Sequence, residues 1–242
     1  MRYRHNKMRI LFKILEWILR SNFNASSSSA RFILEMKLFF LISCLIILFG
    51  DSSASAVINC FYDDSRYEAI GVLYDCEVKN NPNITSKESA QISSVAGSHH
   101  WFKNNNDVAG FAVKSQTVHY FPIGLHDTFK NLKLISIKKC GLKEIHQSDL
   151  KGFSKLTFLN LAFNDLEVIE KGLFDFNPNL KILGFYESKV THIDFNAFDN
   201  LNKLTYLWVY AIPCINKDIY DSRVDVEEAI GIMKVKCVKS SN

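Results

Sequence analysis

The stretch LTFLNLAFNDLEVI, residues 156–169, decides the architecture. Its apolar residues Leu156, Leu159, Leu161, Leu166 and Ile169 surround one turn-type residue, Asn164, in the pattern L-x-x-L-x-L-x-x-N-x-L-x-x-I. Alternation at Leu159 and Leu161 marks a short strand with one buried face. The same offsets return every 24 residues. One step back lie Leu132, Ile135, Ile137, Cys140, Leu142 and Ile145, and two steps back lie Val108, Phe111, Val113, Gln116, Val118 and Phe121. One step forward lie Leu180, Leu183, Phe185, Ser188, Val190 and Ile193. A second step forward gives Leu204, Leu207, Val209 and Ile212, where the pattern stops. A period of this length means stacked supersecondary units, none of which buries its apolar face alone.

These residues resemble the leucine-rich repeats of the extracellular 24-residue type, over roughly residues 108–212. The resemblance implies an α/β solenoid of about five coils, curved, with a parallel β-sheet on its concave face and disulfide caps at both ends. On the convex side Leu150, Phe153, Phe174, Phe198 and Leu201 are expected to fill one layer. The family usually places Asn at the ninth position, where its side chain bonds the backbone of the turn leaving the strand. Here that position holds Gln116, Cys140, Asn164, Ser188 and Ile212, so the buried polar ladder is expected to be thin.

Outside the repeats the chain divides by charge. Residues 1–56 hold eight Lys/Arg against three Asp/Glu, which leaves 21 basic and 22 acidic residues after them. No global field therefore draws the larger part to nucleic acid. Met36-Lys37, the apolar run Leu38–Phe49 and the small-x-small exit Ala54-Ser55-Ala56 form the three parts of a secretory signal. The run is shorter than the roughly 20 residues that span a bilayer. Residues 36–56 are thus expected to be a signal peptide, with residues 1–35 a gene-model extension or a cytosolic segment. The alternative is an uncleaved signal anchor, with Arg2, Arg4, Lys7, Arg9, Lys13 and Arg20 in the cytosol and the repeats outside. Either route sends residues 57–242 to an oxidising compartment, extracellular in both cases.

The cysteines fit that compartment. Cys44 lies in the signal segment, Cys60 and Cys76 precede the repeats, Cys214 and Cys237 follow them, and Cys140 sits within. Two pairs bracketing a solenoid read as capping disulfides, Cys60–Cys76 in an N-terminal cap over 57–107 and Cys214–Cys237 in a C-terminal cap and tail over 213–242. Ile58, Cys60 and Tyr62, like Val72, Tyr74, Cys76 and Val78, alternate with polar neighbours and predict two paired strands. Val224, Ala229, Ile230 and Met233 have helical spacing. Cys140 replaces a turn asparagine and is expected to be a buried, unpaired thiol. The segment Cys60…Gly71-x-x-Tyr74-x-Cys76, with Gly97-x-His99 and the run into Val108, further resembles the N-terminal portion of short secreted leucine-rich-repeat proteins of insects. Asn83-Ile84-Thr85 is an N-glycosylation sequon in a polar stretch; Asn24-Ala25-Ser26 is another.

No metalloprotease, P-loop, nucleophile-elbow or dinucleotide motif is present. His99-His100 is the one adjacent histidine pair, and neighbouring residues diverge too far to share a metal. We expect no catalysis, no cofactor and no metal. The third, fifth, seventh and eighth residues of each coil should project from the strand layer. Along the first two coils these are Gly110, Ala112, Lys114, Ser115, Leu134, Ser136, Lys138 and Lys139. The later coils place Phe158, Phe163, Tyr186, Tyr206, Trp208 and Tyr210 on that face, an aromatic group suited to anchoring a protein ligand. A glycan also stacks on such faces. The expected function is binding of another protein through the concave face, which by resemblance suggests immune or receptor-like recognition. The rival readings are a tethered recognition protein and a structural matrix or salivary component. Processing has a direct check: N-terminal sequencing of protein recovered from culture medium should begin at Val57, and a membrane-embedded product retaining residues 1–56 would defeat it.

Overall fold

The computed structural model describes residues 55–194 and 196–237, so Cys44, the Asn24 sequon and all of the expected signal segment up to residue 54 lie outside the described residues, while Ala56 at its end begins the first strand. An antiparallel hairpin of β1 (Ala56–Tyr67) and β2 (Gly71–Val78) opens the fold, with β3 (Ile92–Ala96) parallel to the start of β1. Five repeat strands follow: β4 (Gly110–Lys114), β5 (Leu134–Lys138), β6 (Phe158–Asn160), β8 (Ile182–Gly184) and β10 (Tyr206–Trp208). They pair in parallel, each residue opposite the one 24 positions on. The last strand, β11 (Asp218–Ile219), pairs antiparallel with β10. One sheet thus runs β11-β10-β8-β6-β5-β4-β2-β1-β3, through both caps. The return path of each coil is mostly turns, with the one-turn helices α1 (Leu125–Thr128) and α2 (Gln147–Leu150) and the short strand pair β7 (Val168–Ile169) and β9 (His192–Ile193).

Two backbone devices recur at the repeat period. The carbonyl just before each of the first four repeat strands accepts two N–H groups from the next coil. Ala109 takes Lys133 and Leu134, Lys133 takes Thr157 and Phe158, Thr157 takes Lys181 and Ile182, and Lys181 takes Thr205 and Tyr206. After each strand the eighth residue is left-handed: Ser115, Lys139, Phe163, Glu187 and Ala211 have φ of 51–57°. In the first four of these turns its N–H reaches the seventh carbonyl of the next coil, as in Lys139 to Ala162 at 3.0 Å and Phe163 to Tyr186 at 2.9 Å. A left-handed non-glycine residue costs about 1 kcal/mol.

The repeat positions form the core as expected. Leu132, Ile135, Ile137, Leu156, Leu159, Leu161, Leu180, Leu183 and Phe185 are buried, and Leu150, Phe153, Phe174, Phe198 and Leu201 close the convex side. Asn164 is buried among them with all four hydrogen-bonding positions used. Its Oδ1 accepts from the N–H groups of Cys140 (3.0 Å) and Leu142 (3.1 Å), and its Nδ2 donates to the carbonyls of Ile137 (2.7 Å) and Leu161 (2.8 Å). The other ninth residues do less. Gln116 donates to the Val78 carbonyl, Ser188 to Phe185 in its own coil, and the buried Cys140 thiol to Lys138.

Both disulfides form as the cysteine spacing suggested, Cys60–Cys76 across the hairpin and Cys214–Cys237 at the other end, while Cys140 is buried and free. Burial raises the pKa of the Cys140 thiol, against hydrogen bonds from backbone that lower it. The C-terminal pair anchors α3 (Arg223–Lys236), which Ser222 caps by accepting from the Asp225 N–H. Val226, Ala229 and Met233 turn inward, and the Arg223 guanidinium donates to the Leu201 carbonyl at 2.7 Å. One expectation fails in the hairpin. Val72 is exposed and Leu73, Tyr74, Asp75 and Cys76 are buried in succession, so β2 does not alternate. Asp75 is buried because the Tyr67 phenol bonds over it and β4 pairs closely alongside, an approach that Gly110 permits: a Cβ there would stand 2.7 Å from the Cβ of Asp75.

Asn164→Leu should separate polar satisfaction from packing. The change strands two buried N–H groups and two carbonyls, and chemical unfolding should show a loss of about 3 kcal/mol. Ser188→Ala, which removes one local bond, should lose about 1 kcal/mol; equal losses would contradict this account.

Candidate ligand-binding face

On the concave side the register sorts the outward residues into rows. The third positions run Gly110–Leu134–Phe158–Ile182–Tyr206, and the fifth run Ala112–Ser136–Asn160–Gly184–Trp208. Not all of these project freely. Leu134 and Ile182 are buried, as are Gly110, Asn160, Ala162 and Gly184. Pointing out of the strand layer therefore does not by itself expose a residue. Ile182 lies between Phe158 and Tyr206 in register, so larger neighbours one strand away cover it. Asn160 turns its Oδ1 back to accept from the Ala162 N–H at 3.0 Å.

The six aromatics expected on this face take up different depths. Phe163 and Tyr210 are exposed, whereas Phe158, Tyr186, Tyr206 and Trp208 are half-buried. Phe158 and Trp208 meet edge to face with centroids 5.6 Å apart, although β8 runs between their strands. Gly184 makes that contact possible, since a Cβ on it would stand 2.9 Å from Cε3 of Trp208. Two residues outside the repeat frame extend this file. Tyr67 of the hairpin packs edge to face on Phe158 at 6.3 Å, and Tyr220 lies 6.4 Å from Trp208. The phenol of Tyr67 donates to the carboxylate of Asp75. Burial raises the Asp75 pKa, while the hydrogen bonds from Tyr67 and Ser65 oppose that. Neither Tyr67 nor Tyr220 stands at a repeat offset, so periodicity carries no signal for them.

A second file lies along the turn side. Phe163 meets Tyr186 edge to face at 5.2 Å, and Tyr186 lies 6.5 Å from Tyr210. Lys138 completes it. Its Nζ donates to the Tyr186 hydroxyl at 2.7 Å and lies 5.1 and 5.3 Å from the Phe163 and Tyr186 ring centres. Lys114 stands directly opposite Lys138 in register, with Lys139 next in sequence, so three like charges share the edge of the aromatic file. Like charges directly opposite on a sheet destabilise it.

The remaining polar clusters tie the fold together. His146 bridges coils, with Nδ1 3.2 Å from Glu170 and Nε2 3.4 Å from Glu144. Burial lowers its pKa, but the hydrogen bonds and charges of Glu170 and Glu144 outweigh that and leave it raised. The His99 ring bonds Tyr74 and Asn105, the backbone N–H of His100 donates to the Tyr74 hydroxyl, and both histidine rings lie near the Tyr74 ring, at 6.0 and 5.5 Å. Among the described residues no group of three or more His, Cys, Asp or Glu is placed to hold a metal ion, and no helix is long and apolar enough to cross a membrane. Asn83 of the sequon is exposed, with φ of 52°.

Fold and face together define a leucine-rich-repeat solenoid capped by disulfides near both ends. Residues 154–209 match the leucine-rich-repeat family model. No curated protein matches the chain. Among solved structures, an internalin from Listeria monocytogenes is similar at 16% identity and a TM-score of 0.37, covering 44% of this chain and 29% of that one. The TLR13–ssRNA13 complex gives 18% identity and a TM-score of 0.45, covering 74% and 22%. The Drosophila Toll–Spatzle complex gives 17% and 0.43, covering 75% and 23%. This chain thus spans less than a third of the length of each.

The Gly184 shelf generates a test. Gly184→Val should push the Trp208 ring off the sheet, with a change in tryptophan emission and a loss of about 1–3 kcal/mol on chemical unfolding. An unchanged spectrum and unfolding curve would show that the two side chains do not share this space.

Proposed function

We propose that this chain is a secreted, non-enzymatic leucine-rich-repeat protein that binds another protein through its concave face. One observation carries the reading: two aromatic files, Tyr67–Phe158–Trp208–Tyr220 and Phe163–Tyr186–Tyr210, run across adjacent strands beside three lysines. Tyrosine and tryptophan offer large contact area at low entropic cost and dominate protein interfaces. The lysines give the ligand a sign, because facing like charges are relieved when an acidic group docks. Oxidised cysteines at both ends support an extracellular location. The exposed Asn83 side chain supports N-glycosylation, and the layout of the first cap supports kinship with short secreted insect proteins of immune or receptor-like role.

Affinity purification of secreted protein, followed by mass spectrometry, tests this reading. The wild type should recover a protein partner, and Tyr210→Ala should weaken that partner's binding by about thirtyfold, the equivalent of a hot spot near 2 kcal/mol. Tyr210 is 45% exposed, so the variant should fold and be secreted normally. Retention of the partner at wild-type affinity by both Tyr210→Ala and Tyr186→Ala would move the site elsewhere.

A further inference from the structure

Between β3 and the first repeat strand, residues 97–107 read GSHHWFKNNND, glycine or polar throughout except at the tip. There Trp101 is 89% exposed and Phe102 is 100% exposed. The Lys103 N–H closes a tight turn onto the His100 carbonyl at 3.0 Å, with Trp101 and Phe102 as its two central residues. Phe102 has φ of 66°. A left-handed second central position ordinarily holds glycine or asparagine. The chain thus accepts backbone strain at this point to carry a ring that the fold does not bury.

The rest of the loop is fastened to the first cap. His99 stacks on Tyr62 with ring centres 3.9 Å apart, and its ring bonds Asn105 at 2.9 Å and Tyr74 at 3.1 Å. The Asn104 N–H donates to Asp107, and the Asn106 N–H to Asn104. Lys103, next to the tip, is turned back: its Nζ lies 2.8 Å from Asp64 and 4.0 Å from the Tyr74 ring centre. Two uncharged aromatic side chains therefore stand at the end of an anchored support.

Size and shape limit what such a tip can meet. Two aromatic side chains bury roughly 150–250 Å² each, well short of the ~800 Å² per partner in a stable protein interface. Their neighbours Ser98, His100, Asn104 and Asn106 are exposed and polar, so the apolar area ends with the two rings. A projecting pair of rings needs a matching hollow in a protein but none in a lipid bilayer, whose interfacial zone yields around tryptophan and phenylalanine. With Lys103 held on Asp64, the tip suits a zwitterionic surface rather than an anionic one, which exposed basic clusters recognise. The sequence also brings this cap to a membrane. Six residues, 50–55, join the apolar run Leu38–Phe49 to β1, so a chain that carries the run delivers the cap to the bilayer that receives it.

We propose that the first cap docks on a zwitterionic phospholipid bilayer through Trp101 and Phe102, which dip into the boundary between headgroups and acyl chains. The loop rests on Tyr62 and Tyr74, buried core residues of β1 and β2, and not on the aromatic files of the concave face. The inference is therefore independent of the proposed ligand site.

Flotation of protein recovered from culture medium with phosphatidylcholine vesicles, at up to about 10 mM lipid, tests it. The wild type should float with the vesicles, and brominated acyl chains should quench its tryptophan emission. Trp101→Ala/Phe102→Ala should lower the partition coefficient about tenfold or more, with an unchanged melting curve. Binding should need no phosphatidylserine and should hold between about 0.1 and 0.5 M salt. Tyr210→Ala should bind vesicles as the wild type does, which keeps a failure of the ligand face distinct from a failure of this docking. Wild-type protein that stays in the aqueous fraction throughout overturns the proposal, as does wild-type binding by the double variant. Binding that requires phosphatidylserine and is lost in salt also overturns it, placing the contact on basic groups elsewhere. A co-purifying protein that the double variant sheds, with no vesicle binding by the wild type, overturns it and assigns the tip to that partner.

Discussion

The fold depends on how one coil holds the next. A single coil has too little apolar surface on its inner side to be stable, so the forked carbonyls before the strands and the left-handed residues after them decide whether neighbours stack. Each left-handed turn costs about 1 kcal/mol, and the ladder bond it makes returns about the same. The surplus comes from burial, where each coil encloses several side chains worth roughly 1.5–3 kcal/mol apiece. That margin explains why Ser, Lys, Phe, Glu and Ala all occupy a conformation that favours glycine. Packing supplies the energy, and the backbone ladder supplies the 24-residue register that packing alone would not enforce.

The same inequality determines what the sequence reveals. Apolar positions in the repeat frame are legible because each must enter a shared core, and every coil repeats the demand. The left-handed positions are invisible, since nothing about Lys139 or Glu187 as residue types favours a positive φ. Tyr67 and Tyr220 join the aromatic file from the caps, where no period applies. The rule that alternate residues point outward holds for direction and fails for exposure. Ile182 points away from the core yet is buried, because on a concave surface its cross-strand neighbours Phe158 and Tyr206 close over it.

Polar side chains show the period too, once the stacked geometry is known. Lys155 donates to Asn131 and Lys203 to Asn179, each pair 24 residues apart along one edge. Asn177 occupies the position that Phe129, Phe153 and Leu201 hold in other coils. Its amide compensates for the lost ring by donating to the carbonyls of Leu150 and Phe153. Two solutions, an apolar side chain and a bonded amide, thus fit one layer. Repeats tolerate such exchanges because each position faces only its neighbours in adjacent coils.

The candidate face follows from the turn constraint. A left-handed residue swings its side chain out of the sequence of inward strand positions, so Phe163, at φ of 56°, projects beside Tyr186 and comes within reach of Lys138. A right-handed or extended residue there would break the bond from its N–H to the Tyr186 carbonyl and lose the stacking of the two coils. The contact that fixes the coil spacing therefore also aims the ring. On the strand side Gly184 has the complementary effect, removing a side chain so that Trp208 reaches Phe158 across β8. One turn residue held out and one strand residue left bare turn a regular sheet into a shaped, aromatic surface. Because the backbone ladder holds both in place, ligand contact there requires little further ordering, which is the condition under which modest apolar contacts add up to stable binding.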